Sequence, residues 1–239
     1  MNRRIHGWIG VAAVLAVTAF AVGCMGNKDL AGKGVAPCGD VTTPKTRFDA
    51  FKDFSFQSNP VPGGAWRYGF TVTLGGTFQL YHQKSTFYNQ QSTLPISSWN
   101  AGSMNPDVNK NENGMEILSN QYVIHPASEY LNFHPGRGGE KSVVRWTCPK
   151  AGTYGVDAGF RSLRNGGQST TTDIHVLKNG VSLFEGAING HYADGEQVYN
   201  ATLDLAACDT VDFVVGAGPN NDYICDSSGI RAKIEKAQR

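Results

Sequence analysis

Charge is scarce in this chain. Only 17% of its 239 residues are charged, and 21 Lys and Arg against 20 Asp and Glu leave a net charge of +1. Domains that bind DNA or RNA carry clusters of Lys and Arg that neutralise phosphates. The sequence therefore predicts no nucleic-acid partner.

The sequence also lacks any sustained run of apolar residues at helical spacing. It has 29 glycines and many Thr, Ser and Asn residues, which lower helix propensity and favour turns. Since 40% of the residues are apolar and 10% are aromatic, the chain can still form a packed core. Together these features predict an all-β fold.

Motifs of the common catalytic sites are missing as well. The sequence contains no G-x-S-x-G, S-x-x-K or phosphate-binding loop, and its six histidines form no H-x-x-x-H or H-E-x-x-H pattern. Paired carboxylates of a glycoside hydrolase leave no sequence motif of this kind, because their separation is set by the fold. We therefore expect a protein that is not an enzyme, with hydrolysis as the weakest alternative.

The first 24 residues have the features of an export signal. Arg3 and Arg4 precede the apolar run Ile9–Val22, which is too short to cross a bilayer. The run ends in Ala21-Val22-Gly23-Cys24, which resembles the lipobox of bacterial lipoproteins. An ordinary cleaved signal whose cysteine forms a disulfide is the alternative.

The lipobox resemblance implies acylation, palmitate included, of Cys24. We thus expect a helical signal peptide over residues 1–23, a flexible tether over 24–44, and a membrane anchor through Cys24. Residue 25 is Met rather than Asp, which by resemblance to enteric lipoprotein sorting favours the outer membrane of a bacterial envelope.

Four further cysteines remain after the signal: Cys38, Cys148, Cys208 and Cys225. None belongs to a C-x-x-C pair, so a zinc site is disfavoured. Export permits disulfides, and two bridges with three possible connectivities are expected.

Alternation of apolar and polar residues predicts half-buried strands in the C-terminal half. They cover residues 142–146, 153–160, 201–205, 211–215 and 230–234, and the pair 172–177 and 181–185 flanks Asn179-Gly180. Asn-Gly tolerates the positive φ angles of a type I′ turn, so this pair predicts a β-hairpin.

The N-terminal half is less regular. Strands are expected at 53–56, 66–72 and 78–81, and the polar segment 82–120 is expected to be a long loop with one short strand. No linker divides the chain, so we predict one domain over residues 45–236. Strands of this number and spacing favour an antiparallel two-sheet sandwich.

A series of short motifs resembles a known family. The match spans roughly residues 53–235 and is similar to exported jelly-roll modules, namely the galactose-binding-like carbohydrate-binding modules of bacterial surface proteins. The motifs are Phe54-Ser55-Phe56, Asn59-Pro60, Gly64-Ala65-Trp66-Arg67-Tyr68-Gly69, His134-Pro135-Gly136, Val143–Pro149, Ala151–Tyr154, Asp173–Gly180, Asp209–Gly216 and Asp226–Ile230.

The resemblance implies a jelly-roll sandwich without catalytic activity that binds a glycan or another surface polymer. This chain departs from the family pattern at two turns, where Cys148 stands for an expected Ala and Cys208 for an expected Gly. If those turns meet, Cys148–Cys208 and Cys38–Cys225 are the implied disulfides.

Metal binding is expected at most as a structural calcium. Asp107-x-Asn109-x-Asn111-x-Asn113-Gly114 superficially resembles a calcium loop, but Glu112 stands where glycine belongs, so a solvated turn is favoured. Jelly-roll modules often hold calcium away from the ligand, and the candidate carboxylates are Asp53, Asp222 and Asp226. No cofactor is otherwise required.

Aromatic rings beside amides or carboxylates are the candidate sugar-binding groups, because sugars stack on rings and hydrogen-bond to polar side chains. Trp99 lies in the polar segment and is expected to be the most exposed. A structural, protein-binding envelope lipoprotein is the alternative function. The candidate ligand-binding residues are Trp66, Tyr68, Trp99, His191, Tyr192, Asn220, Asn221 and Tyr223.

Overall fold

The computed structural model describes residues 41–87, 95–102 and 105–238. The expected signal peptide, the lipidation site Cys24 and the disulfide candidate Cys38 lie outside these residues. Within the described ranges, no helix is long and apolar enough to cross a membrane.

The described chain is built from strands that pair antiparallel throughout. A single 3-10 turn is described, at Tyr192–Asp194. The strands are β1 Arg47–Asp49, β2 Trp66–Thr71, β3 Gln79–Leu80, β4 Gln83–Phe87, β5 Ile96–Asn100, β6 Asp107–Asn111, β7 Ile117–Ser119, β8 Val123–His125, β9 Leu131–His134, β10 Lys141–Thr147, β11 Gly152–Ser162, β12 Thr170–Lys178, β13 Val181–Gly190, β14 Glu196–Leu205, β15 Thr210–Gly216 and β16 Ser228–Lys236.

Two sheets form the sandwich. Sheet A has the order β14-β11-β16-β9-β6-β5-β4, with β1 also paired to β16, and sheet B has the order β13-β12-β15-β10-β2-β3. Strands β9 to β16 are divided between the sheets in the orders 9-16-11-14 and 10-15-12-13, which is the strand arrangement of a jelly roll. The predicted all-β antiparallel sandwich is therefore confirmed.

The core lies between the sheets and follows the predicted alternation. On β11 the side chains of Tyr154, Val156, Ala158 and Phe160 are buried, because alternate residues of a strand face the same side. Trp146 of β10 is fully buried and makes edge contacts with Phe48 and Tyr154, each with ring centroids 5.2 Å apart.

The predicted hairpin is also confirmed. Asn179 and Gly180 have φ angles of 51° and 80° and join β12 to β13. These are the positive angles that a type I′ turn requires at both central residues.

Two predictions for the N-terminal half are wrong. Residues 53–56 form no strand and belong to the connection between β1 and β2, where Phe54 packs on Tyr68 with ring centroids 4.9 Å apart. Segment 82–120, expected to be mostly loop, contains β4 to β7. These strands lack the apolar alternation that predicts a strand, because polar residues such as Ser97 and Asn109 are buried in them.

The predicted disulfides are wrong, although the turns that suggested one of them do meet. The Cys208 N–H donates to the Cys148 carbonyl oxygen at 2.9 Å, but the Cys148 thiol donates to the Lys150 carbonyl oxygen at 3.2 Å and is not bridged to Cys208. Cys225 is a free thiol, which rules out the Cys38–Cys225 pairing. Cys208 has a φ of 75°, which explains why the family pattern favours glycine there.

Candidate functional site

The outer face of sheet A carries a groove of about 950 Å³. Two rows of cross-strand neighbours form it: Thr202, Gly155, Glu235 and Arg47 in one, and Asn200, Asp157, Lys233 and Asp49 in the next. Lys52 and Asp53, from the segment after β1, complete the lining on one side. We call this feature the sheet A groove.

A glycine gives the groove its depth. A Cβ added to Gly155 would meet only the Glu235 carbonyl oxygen, at 3.9 Å, within contact range. The position is exposed and lies between the side chains of Thr202 and Glu235 on the neighbouring strands. Any larger residue would therefore occupy the groove itself.

The charges of the groove are balanced. Three cationic and four anionic side chains line it, a net of one negative charge. The carboxylates are held in ion pairs: Asp53 with Lys45 at 2.7 Å, Glu235 with Arg47 at 2.7 Å and Asp157 with Arg231 at 2.7 Å. The groove thus offers donors and acceptors without a strong field of either sign.

Two of the lining side chains are available to a ligand. Asn200 and Thr202 are exposed on β14. Neither the amide of Asn200 nor the hydroxyl of Thr202 makes a hydrogen bond to another described residue. An amide and a hydroxyl on one strand can donate to and accept from the hydroxyl groups of a sugar.

A chain of contacts extends from the groove along the same face to two tyrosines. Arg231, paired with Asp157, also reaches Glu196 at 3.2 Å, and the Tyr130 hydroxyl donates to Glu196. The Arg161 guanidinium lies 3.6 Å from the Tyr192 ring centroid and 5.6 Å from that of Tyr130. The outer face therefore joins the sheet A groove to a pair of partly buried aromatic rings.

The predicted stacking residues Trp66, Tyr68 and Trp99 are in the core, at 4%, 2% and 3% exposure. Trp99 lies on β5, not in a loop, and its Nε1 donates to the Ser55 carbonyl oxygen at 2.8 Å. Their rings cannot form the exposed platform that the sequence predicted. The rings are buried because their alternate positions on β2 and β5 face the other sheet.

Trp66 and Tyr68 nevertheless line a cavity of about 460 Å³, together with Asp53. Trp66 Nε1 and the Tyr68 hydroxyl find no hydrogen-bond partner in the described chain. Burial, and then the charge of Asp53, raise the pKa of Tyr68 well above its ordinary value. The cavity is enclosed in part by Thr42–Lys45 and is too small for a polymer.

The other predicted ligand residues lie at the far end of the sandwich, which we call the loop end. It comprises the described parts of five connections, namely 101–102 with 105–106, 135–140, 163–169, 191–195 and 217–227. His191 Nε2 lies 3.2 Å from the Gly167 carbonyl oxygen, and Tyr223 packs edge-on against His134 with ring centroids 6.2 Å apart. Tyr192 at this end also belongs to the tyrosine pair on sheet A.

Asn220 and Asn221 stabilise the turn in which they lie. The Asn220 amide donates to Thr171 Oγ1 at 2.8 Å, and its oxygen accepts from the Asp222 N–H at 3.3 Å. Asn221 has a φ of 51°, a conformation that Asn tolerates better than most residues.

The three candidate calcium ligands do not meet. Asp53 follows β1, which pairs with the C-terminal part of β16, whereas Asp222 and Asp226 precede the N-terminal end of that strand. Asp53 binds Lys45, and Asp226 accepts from the Thr171 N–H at 2.8 Å. A calcium ion held by all three carboxylates is therefore not compatible with the fold.

Asp226 is fully buried and its Oδ2 has no partner within the described residues. Burial raises its pKa to about 6, hydrogen bonds from Thr171 oppose the rise, and the charges of Asp222 and Asp173 add to it. The carboxyl group is thus held nearer its neutral form than an ordinary aspartate.

We expect Asp226→Asn to remove a pH-dependent loss of stability. Because the folded pKa of about 6 exceeds the ordinary 3.8, the unfolded chain releases this proton first as the pH rises. The wild type therefore loses stability relative to the variant between pH values of about 4 and 6, by up to about 3 kcal/mol. Urea unfolding of both proteins at each end of that range measures the difference, and an unchanged difference would contradict the shifted pKa.

Sequence reasoning missed the sheet A groove, but a signal was present. Asn200, Thr202, Gly155 and Asp157 occupy the polar positions of strands whose apolar positions were predicted to be core. Alternation assigns these residues to the outer face. It does not indicate which of two outer faces is indented, since that depends on how β1 and its following segment lie on the sheet.

No family model and no curated protein matches the sequence. The CBM51-2 module of Clostridium perfringens ZmpB, solved with GlcNAc, is 13% identical, and the match covers 80% of this chain and 40% of that chain with a TM-score of 0.40. The CBM51 module of Clostridium perfringens GH95, solved with methyl-galactose, is 15% identical; the match covers 65% of this chain and 94% of that chain, with a TM-score of 0.34. CBM35 of Paenibacillus barcinonensis is 10% identical; the match covers 81% of this chain and 100% of that chain, with a TM-score of 0.30. This chain is a β-sandwich with distant structural similarity to such modules.

Proposed function

We propose that this protein is a non-catalytic module that binds a neutral glycan in the sheet A groove. The observation that carries the proposal is the groove itself, an indentation of about 950 Å³ lined by charged, amide and hydroxyl side chains with one net negative charge. Ligand pockets are concave and contain a small number of hydrogen-bonding groups that fix orientation. A neutral polymer rich in hydroxyl groups matches such a lining better than a polyanion or a polycation does.

The free side chains of Asn200 and Thr202 supply the direct contacts. The ion pairs on the groove walls hold their carboxylates and guanidinium groups in place before the ligand arrives, which lowers the entropic cost of binding. Tyr192 at the loop end extends the same face and offers a ring to a longer chain of sugars.

The proposal includes the anchor that the sequence predicts. Acylated Cys24 would hold the module at the surface of a bacterial membrane, and two or more acyl chains give stable attachment. Mass spectrometry of the mature amino terminus checks this half of the proposal, because it should show acyl groups on Cys24.

We expect calorimetric titration against a panel of neutral polysaccharides to find a ligand whose affinity falls about tenfold in Asn200→Ala. That loss corresponds to about 1.4 kcal/mol, a typical value for a side chain that contacts a ligand directly. Asn189→Ala is the matched control, since Asn189 is an exposed strand residue of sheet B. Absence of binding across the panel, or equal losses in the two variants, would refute a glycan site in the groove.

A further inference from the structure

Four polar side chains form a square on sheet A where β6 pairs with β9. The register places Asp107 opposite His134 and Asn109 opposite Asn132. Val108 and Phe133, which are also opposite each other, are fully buried in the core. Because successive side chains of a strand point to opposite faces, the four polar residues point away from the core.

This part of the outer face is nevertheless closed to solvent. Asp107, Asn109 and Asn132 are 7%, 5% and 4% exposed. The segment that carries β7 and β8 packs over β6, where the Asn111 amide donates to the carbonyl oxygens of Met115 and His125 at 2.9 and 2.8 Å. Asp107-x-Asn109-x-Asn111, expected to be a solvated turn, is thus a covered strand.

Two buried acceptors of the square receive no hydrogen bond from the described residues. Asn109 Nδ2 donates to Asp107 Oδ1 at 3.1 Å, the orientation that an ionised Asp107 requires, because the flipped amide would then set oxygen against oxygen. Oδ1 of Asn109 and Oδ1 of Asn132 are both buried and have no partner among the residues described. Two unsatisfied amide oxygens on paired residues are unusual, since buried polar atoms are nearly always bonded.

Among the described residues, the Asp107 carboxylate has no countercharge. Its oxygens form no ion pair with a Lys, Arg or His of the described chain. A buried carboxylate is costly unless a cation or several donors compensate it, and one donor from Asn109 is described. The carboxylate and the two amide oxygens therefore have the same requirement.

We propose that a divalent cation binds in this square, held by the Asp107 carboxylate and by Oδ1 of Asn109 and Asn132. Carboxylate and amide oxygens are the ligands of hard cations such as Ca²⁺ and Mn²⁺. His134 is the fourth corner. Because its Nδ1 lies 2.9 Å from the Pro135 carbonyl oxygen, Nε2 is the ring nitrogen that remains to bind the cation. The site shares no residue with Asp53, Asp222 and Asp226, the calcium candidates of the sequence.

Such a cation would tie β6 to β9 and so join the N-terminal part of sheet A to the jelly roll. We expect the melting temperature of the EDTA-treated full chain to rise by about 5–10 °C in Ca²⁺ or Mn²⁺ at about 100 times the dissociation constant. Elemental analysis should find one divalent ion per chain after gel filtration. A rise that persists when NaCl of equal ionic strength replaces the cation would contradict a specific site.

Variants locate the site. Asn109→Ala and Asn132→Ala should abolish the cation-dependent rise, whereas Asn132→Asp, which adds a carboxylate, should lower the melting temperature in EDTA and enlarge the rise in cation. Asn189→Asp is the matched control and should behave as the wild type. If the alanine variants do not fold, the Asn132→Asp comparison decides.

Two results would overturn the proposal. The first is an identical melting temperature in EDTA and in cation with no bound metal, which would mean that buried water satisfies the two amides. The second is a cation-dependent rise that Asn132→Asp leaves unchanged, which would place the metal elsewhere in the protein.

Discussion

Gly155→Ile is expected to reduce glycan affinity by about 100-fold, or about 2.7 kcal/mol, while leaving the fold intact. The isoleucine side chain would stand in the middle of the sheet A groove, between Thr202 and Glu235. Its Cβ would meet only one atom within contact range, so no strain is introduced. A β-branched residue also favours a strand more than glycine does, so thermal stability should be unchanged or higher.

Two controls accompany this substitution. Gly114→Ile makes the same change at an exposed bend outside the groove, where a Cβ has no neighbour within 4 Å, and it should leave binding unaltered. Gly155→Ala should give an intermediate loss. Full affinity in Gly155→Ile, measured by calorimetry with the ligand identified for the wild type, would move the binding site away from this face.

Asp212→Ala should destabilise the protein by about 3–5 kcal/mol, because it leaves a buried guanidinium unpaired. Asp212 of β15 accepts two hydrogen bonds from Arg145 of β10, from Nε at 2.6 Å and from Nη2 at 2.7 Å. The two side chains are 3% and 19% exposed. Phe78 covers the pair, with its ring centroid 4.1 Å from the Arg145 guanidinium carbon. Urea unfolding measures the loss.

The double variant Arg145→Leu/Asp212→Leu should recover most of that stability, since neither charge remains buried. The exposed pair Arg47 and Glu235, at 77% and 53% exposure, is the matched control, and Arg47→Ala should cost under about 1 kcal/mol. If Asp212→Ala lowers the free energy of unfolding by no more than Arg47→Ala does, the ion pair is solvated and Phe78 does not shield it from water.

The C-terminal half of the fold was predictable because each of its strands has one face in the core. Val144 and Trp146, or Ile230 and Ile234, alternate with polar residues, and the period alone gives both the strand and its buried face. The Asn179-Gly180 turn fixed the hairpin by local backbone chemistry. These signals are local, so one sequence is enough to find them.

The N-terminal half could not be predicted from the same signals because its strands bury polar residues. Ser98, Asn109 and Asn111 are buried on strands, whereas polar residues without apolar alternation predict a solvent-exposed loop. The Asn111 amide donates to the carbonyl oxygens of Met115 and His125, and the contact with His125 on β8 is one that no local pattern contains.

Only the part of the candidate site at the loop end was predicted from the sequence. Tyr192 was correctly placed at a loop, but the groove, with Asn200 and Thr202, consists of outward positions that sequence alone does not rank. Trp99 was expected to be exposed because its neighbours are polar, and the partner sheet decides otherwise. Whether an aromatic residue is buried in the core or exposed as a stacking surface depends on which face of its strand meets the other sheet.

The position of β16 has a consequence for the order of events during folding. This strand lies between β11 and β9 and also pairs with β1, so Phe48 is matched with Ile234 across most of the domain's length. Sheet A cannot close until residues 228–236 have been synthesised, and pairings between such distant segments form slowly. The groove, which needs Lys233 and Glu235 for one wall, is therefore among the last features of the molecule to form, and the proposed glycan could bind there only after these residues have been synthesised.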